Sequence, residues 1–279
     1  MSATIMAGQS FASYVKDAAV NQSSLKVLHK QSPAHFKHAW DNPDELDKPA
    51  FIIGRAVHTK VLEPAKFDDE FVLSKFTDFR TKEAREWRES QTRSILKADD
   101  MQAIDGMVAS IQRPEWFKKA LSKCDVEANV NFRDSVTKIM LKARLDMVYG
   151  GEKGAIFDLK TAQSANRDKF SRDFREYAYH FQAAFYSMAF EAVFGCKPMA
   201  FFFVVVEKEP PFVACRYKVS PEAIDAGMQD VRRSLDTLAE CQEKDDWPGY
   251  PDESLDLPVW AQREYPDVYT HNPDDGGGF

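Results

Sequence analysis

The residues of this sequence best suited to chemistry lie in three places. Lys142-Ala143-Arg144-Leu145-Asp146 is followed by Asp158-Leu159-Lys160. In an extended strand successive side chains alternate, so Asp158 and Lys160 share a face while Leu159 turns into the core. A carboxylate beside an ammonium, with a second carboxylate across a hairpin, can hold a hard divalent cation through oxygen and orient an attacking water. An edge-strand ion pair with a turn aspartate uses the same residue types. His58 follows Gly54 by one helical turn, beside Val61 and Leu62, and serves there as a core histidine or, with the two aspartates, as a further metal ligand. Gln182 and Tyr186, four apart on one helical face, could contact phosphate oxygens without reading bases. Lys169, Arg172 and Arg175 precede them and could supply positive charge to a phosphate backbone; a solvated polar helix edge gives the same pattern. Glu127 opens a strand and reads as an exposed glutamate.

These residues need elements to position them. The first hundred residues read as short helices: Ser32-Pro33 starts one through Trp40, a second runs from about Ala50 to Glu63 and stops at Pro64, and others span Thr81 to Ser94, Ala98 to Ile111 and Pro114 to Leu121. The 81–94 helix carries Arg85, Arg88 and Arg93, balanced by Glu83, Glu86 and Glu89. Period two then takes over. Val126 to Phe132, with Val126, Ala128, Val130 and Phe132 on one side, Ile139 to Val148, and Ala155 to Lys160 suggest an antiparallel meander. Phe170 to Phe194 reads as one long helix ended by Gly195. Met199 to Val206 is the most apolar strand and is expected at the sheet centre, Phe212 to Val219 should pair with it, and Pro221 starts a helix to about Glu243. This order makes an α/β fold with a mixed central sheet flanked by helices and a helical N-terminal part. A single domain is expected over 1–265, with a helical part at about 20–122, a catalytic core at about 123–244 and an irregular surface segment at about 245–265; 266–279 reads as a flexible acidic tail.

Composition excludes several classes. The 279 residues are 44% hydrophobic and 29% charged, an ordinary globular balance, and no apolar run approaches a membrane span. Cys124, Cys196, Cys215 and Cys241 are too widely spaced for a structural zinc or iron–sulfur motif, which suggests free thiols in a reducing cytoplasm. The formal charge of -7 is uneven. From Asp236 onward there are 12 acids against 2 bases, leaving 32 acids and 35 bases before it, so the body has room for a basic groove.

Four segments, Gly54 to Pro64 (GRAVHTKVLEP), Lys142 to Asp146 (KARLD), Ile156 to Ala162 (IFDLKTA) and Tyr179 to Tyr186 (YHFQAAFY), resemble the ordered motifs of the RecB-like branch of the PD-(D/E)xK nucleases. Within that branch the likeness is to the exonuclease VIII (RecE-type) nuclease domain of phages and prophages, and it extends to Leu257-Pro258-Val259-Trp260. The resemblance implies a restriction-endonuclease-like core in which His58, Asp146, Asp158 and the Leu159 carbonyl hold Mg2+, with Mn2+ as substitute, Lys160 acts on the water, and Gln182 and Tyr186 hold the DNA strand. It further implies a 5'-to-3' exonuclease on linear double-stranded DNA, a homotetrameric ring, a single-strand annealing protein as partner, no membrane association and the host cytoplasm as location. An endonuclease or single-strand nuclease with the same site, or a non-catalytic DNA-binding protein of the same fold, are the competing expectations.

Overall fold

The computed structural model describes residues 4–6, 14, 17–42 and 49–269; the expected tail beyond 269 lies outside them. In chain order the elements are β1 (Thr4–Met6), α1 (Gln22–Lys30), α2 (Pro33–Asp41), α3 (Pro49–Leu62), α4 (Phe67–Glu70), β2 (Phe71–Leu73), α5 (Lys82–Glu89), β3 (Ser94–Leu96), α6 (Ala98–Gln112) and α7 (Glu115–Leu121). There follow β4 (Asp125–Arg133), β5 (Met140–Tyr149), β6 (Ala155–Ala162), α8 (Arg167–Glu176), α9 (Tyr179–Phe194), β7 (Ala200–Glu207), β8 (Ala214–Lys218), α10 (Pro221–Lys244) and α11 (Val259–Gln262). Six strands form one mixed sheet in the order β1-β4-β5-β6-β7-β8, and β2 and β3 pair separately in parallel.

The meander read from the alternation is present, with β4, β5 and β6 antiparallel in turn. β6 and β7 are parallel, and β8 pairs antiparallel with β7. β7 is therefore next to the edge strand and not central, despite being the most apolar; a strand packed on both faces is apolar wherever it lies in the order. Helices α9 and α10 pack with α1 on one face, where Phe181, Phe185, Phe190 and Phe201 are fully buried. Truncating one of these rings to alanine would cost about 3–5 kcal/mol. Helices α3 and α6 cover the opposite face through Val57, Val61, Ile104 and Met107.

The helix expected over 170–194 is broken in two. Asn166 caps α8 by accepting from the Asp168 and Lys169 amides, and the chain turns at Tyr177 and Ala178, the latter at φ +49°. Two α1 side chains hold this corner: the Lys26 ammonium donates to the Tyr177 carbonyl at 2.9 Å and Lys30 to the Glu176 carbonyl. Cations at a helix C-terminus satisfy carbonyls that have no intrahelical donor. The 81–94 helix is also shorter than read, because Ser94–Leu96 leaves it to pair with β2. At Gly227 of α10 an added Cβ would lie 2.2 Å from the His180 carbonyl oxygen, so α9 and α10 meet backbone to backbone there. From Asp246 to Tyr269 the chain is largely exposed and, apart from α11, irregular, anchored where Trp247 stacks on Phe36 and Pro248 accepts from the Ala34 amide.

Two irregularities in the sheet matter for function. The β5–β6 ladder has only three rungs, Met147↔Phe157, Val148↔Ile156 and Tyr149↔Ala155, and then the strands part. Part of the β5 edge released by this fork is paired instead by the N-terminal segment: the Val20 amide donates to the Met140 carbonyl and the Lys142 amide to the Val20 carbonyl, both at 2.9 Å. The Lys142 ammonium ties the same segment down through the Tyr14 and Asp17 carbonyls, both at 2.6 Å. The second irregularity is a break in the pleat. Ala128, Val130 and Phe132 of β4 face α9, whereas Val126, of the same parity, faces α6; Leu145 and Met147 of β5 divide in the same way. Glu127, at φ +47°, sits at the break. The flanking pairs Val126↔Met147 and Ala128↔Leu145 place it opposite Asp146.

Candidate active site

The fork explains how side chains from both faces of the sheet can meet. Asp146 and Asp158 are the first residues on either strand beyond the last β5–β6 rung. Leu159, freed from that ladder, donates its amide to Asp146 Oδ2 at 2.7 Å while its side chain enters the α3 and α6 core, as the alternation required. Asp158 and Lys160 point to the other face. Lys160 Nζ is bonded to Asp158 Oδ2, lies 3.5 Å from the Leu159 carbonyl oxygen, and rests over the Tyr179 and Phe203 rings at 5.2 and 5.4 Å. β6 is an inner strand of the sheet, but Asp158 to Lys160 lie past its last rung with β5 and are laddered there to β7 alone.

From α3, His58 places Nδ1 3.4 Å from Asp146 Oδ2. Ligand atoms of His58, Asp146 and Glu127 all lie within 4.8 Å of one another. Glu127 is thus part of the cluster and not an exposed strand glutamate. Its side chain is 12% exposed and is bonded to Arg144, which also reaches Glu63 at 3.2 Å. Alternation alone could not reveal this, because the left-handed backbone at Glu127 redirects the side chain. A signal was available in Arg144, an arginine in an otherwise apolar strand that requires an acidic partner.

The electrostatics are those of crowded carboxylates. Burial, and then the neighbouring Asp146, push the Glu127 carboxyl up to about 7. Burial and then Asp158 raise Asp146 well above the usual carboxylate range. Burial lowers the His58 imidazole and favours its neutral, metal-ligating form, although Glu127 pulls the other way.

Gln182 and Tyr186 do share one face of α9, but both are buried. Gln182 donates to Asp158 Oδ1 at 2.8 Å, and Tyr186 interacts with Gln182 behind it. They lie beneath the carboxylates, where the amide fixes the orientation of Asp158, instead of projecting toward solvent as phosphate contacts would. Lys169, Arg172 and Arg175 are exposed on α8, the helix that leaves the end of β6.

The sequence profile of the PDDEXK-like domain of unknown function (DUF3799) matches residues 22–255. The chain belongs to this family. No curated protein matches it. Among solved structures, a protein from Eubacterium rectale described as a "putative exonuclease" aligns over 94% of this chain and 98% of its own, with 15% identity and a TM-score of 0.64. That likeness shows a shared fold. A second structure, SSO0001, aligns over 67% of this chain and 87% of its own, with 15% identity and a TM-score of 0.32, too distant to bear on the fold. The chain therefore has the PDDEXK-like architecture expected from its motifs, with the mixed sheet and flanking helices described above.

Within this PDDEXK-like domain the donor set suits a divalent metal. Two carboxylates and an imidazole converge, burial and the neighbouring carboxylates raise the proton affinity of Glu127 and Asp146, and the Leu159 carbonyl lies beside Lys160 at the same fork. Asp158 is adjacent, but both of its oxygens are engaged, by Gln182 and by Lys160. No helix among the described residues is long and apolar enough to cross a membrane.

Proposed function

We propose that the protein is a metal-dependent nuclease of the RecE type, of phage or prophage origin, that digests linear double-stranded DNA from its 5' ends. The observation that carries the reading is the fork: Asp146, Asp158 and Lys160 at the point where β5 and β6 part, met by His58 from one face and Gln182 from the other. His58, Asp146, Asp158 and the Leu159 carbonyl would hold Mg2+ or Mn2+, and Glu127 joins them by its position. When bound, the metal supplies charge neutralisation at the phosphate and lowers the pKa of water.

The remaining work belongs to the chain. Lys160 orients the attacking water and offers its ammonium to the charge that develops on the phosphoryl oxygens. Water oxygen bonds to phosphorus, the P–O3' bond breaks, and the products are a 5'-phosphate and a 3'-hydroxyl. Gln182, backed by Tyr186, keeps Asp158 in register for this step and positions the scissile phosphate through that carboxylate. Lys169, Arg172 and Arg175 meet the DNA backbone from the exposed side of α8. A ring of four subunits would retain the duplex between cuts, and the 3'-tailed product would pass to a single-strand annealing protein in the host cytoplasm.

Digestion of linear duplexes labelled at one 5' or one 3' end, beside closed circles and with or without Mg2+, tests the reading. Early release of the 5' label, persistence of the 3' label, intact circles and no cleavage without metal are expected. Cutting of circles at the linear rate would establish the endonuclease alternative, and no cleavage in Mg2+ or Mn2+ the non-catalytic one.

A further inference from the structure

A second cluster of potential metal ligands lies away from the fork, where three helices meet, and none of its side chains has a part in the nuclease reading. His29 of α1, His180 of α9 and Asp230 of α10 each present one ligand atom, all within 4.8 Å of one another. Both imidazoles aim Nε2 at the same carboxylate oxygen: His180 stands 3.0 Å and His29 3.7 Å from Asp230 Oδ2. The second separation is too long for a hydrogen bond. Two nitrogens and an oxygen on a tetrahedral Zn2+ with bonds of about 2.0–2.1 Å would be separated by roughly 3.3 Å, between the two observed values.

The surroundings suit a cation. The three side chains are 26%, 19% and 14% exposed, so an ion can enter and a water can complete the coordination. Arg233 binds Asp230 through Oδ1 and leaves Oδ2 to the histidines, the arrangement in which an outer partner orients a ligating carboxylate. The backbone contact at Gly227 fixes α10 against His180 one turn before Asp230.

We propose that His29, His180 and Asp230 form a structural site for a borderline transition metal such as Zn2+, distinct from the nuclease centre. Two imidazoles and a single carboxylate favour Zn2+ over Mg2+, which prefers an oxygen shell. The site pins α1 to α9 and α10. The same face of α1 already holds the α8–α9 corner through Lys26 and Lys30, and two residues past His180 the amide of Gln182 grips Asp158. The bound ion would therefore stiffen the support behind the nuclease centre without touching it.

The test uses the full chain carrying Asp146→Asn, which weakens the nuclease centre as a competing site. Co2+ titration followed by visible absorption, and Zn2+ titration followed by calorimetry and thermal melting, report the second site without reference to cleavage. One saturable ion per chain, a tetrahedral Co2+ spectrum and a melting temperature raised by Zn2+ but not by equimolar Mg2+ are expected. Adding His29→Gln or Asp230→Asn should weaken Zn2+ binding at least about 10-fold and abolish the spectrum, within the range seen when a metal site loses a supporting group. Circular dichroism identifies any variant that fails to fold, and the other then decides. Unchanged Zn2+ affinity in the folded variant, or no saturable binding in the Asp146→Asn chain, overturns the proposal.

Discussion

In Lys160→Ala, Asp158 loses its ammonium partner while Gln182 still holds the other carboxylate oxygen, so the chain should fold and retain metal. Cleavage in single-turnover assays should slow at least about 100-fold, the scale of losing a donor that acts on the transition state. Normal cleavage would remove Lys160 from the mechanism. The crowded carboxylates give a second expectation at this scale. Glu127 and Asp146 bind protons more tightly in the folded protein than in the unfolded chain. Their contribution to stability is therefore fully present at acid pH and is lost as pH rises through about 7, the Glu127 value, and beyond. Metal-free protein should melt at a lower temperature at pH 8.5 than at pH 6, and Mn2+ should restore more of the loss at the higher pH because binding displaces those protons. A metal-free melting temperature that rises across this range would contradict the assignment.

Among the elements, the α9–α10 contact gives the sharpest mutational expectation. Gly227→Ala would drive a methyl into the His180 carbonyl, which is backbone and cannot swing aside, and should destabilise by at least about 1–3 kcal/mol in urea melts. Gly54→Ala in α3 is the control: its Cβ would meet only Thr161 Oγ1 at 3.4 Å, an ordinary contact, so stability should hold or improve. Elements of this kind were legible in the sequence to different depths. Period two located β4, β5 and β6 to within a residue or two and placed Asp158 and Lys160 on one face, because those strands are packed on their alternate residues. The break at Ala178 was hidden, since the apolar spacing continues across it and an alanine gives no sign of a left-handed backbone. The site was legible as a set of residues but not as a shape. The fork depends on where a ladder stops, and the recruitment of Glu127 depends on one dihedral angle, neither of which is encoded by hydrophobic period. α1, β1 and the β2–β3 pair are short enough that tertiary contacts, not local pattern, decide them.

At the scale of the whole molecule, the sheet joins two helical layers, and the fork between β5 and β6 is the place where both reach the same carboxylates. Opening a sheet between two of its inner strands creates a hazard as well as a site: β5 gains an edge inside the fold. Val20 closes part of it, and β1 pairs along the outer edge of β4. The family match begins at Gln22, past both of these segments. A chain trimmed to 22–255 would keep every candidate catalytic residue yet uncover backbone donors and acceptors on β4 and β5, the condition under which sheets recruit strands from other molecules. Light scattering during concentration should show the trimmed chain forming large, polydisperse particles while the full chain stays of defined size. A trimmed chain as well behaved as the full one would mean that these N-terminal residues do not guard the sheet against self-association.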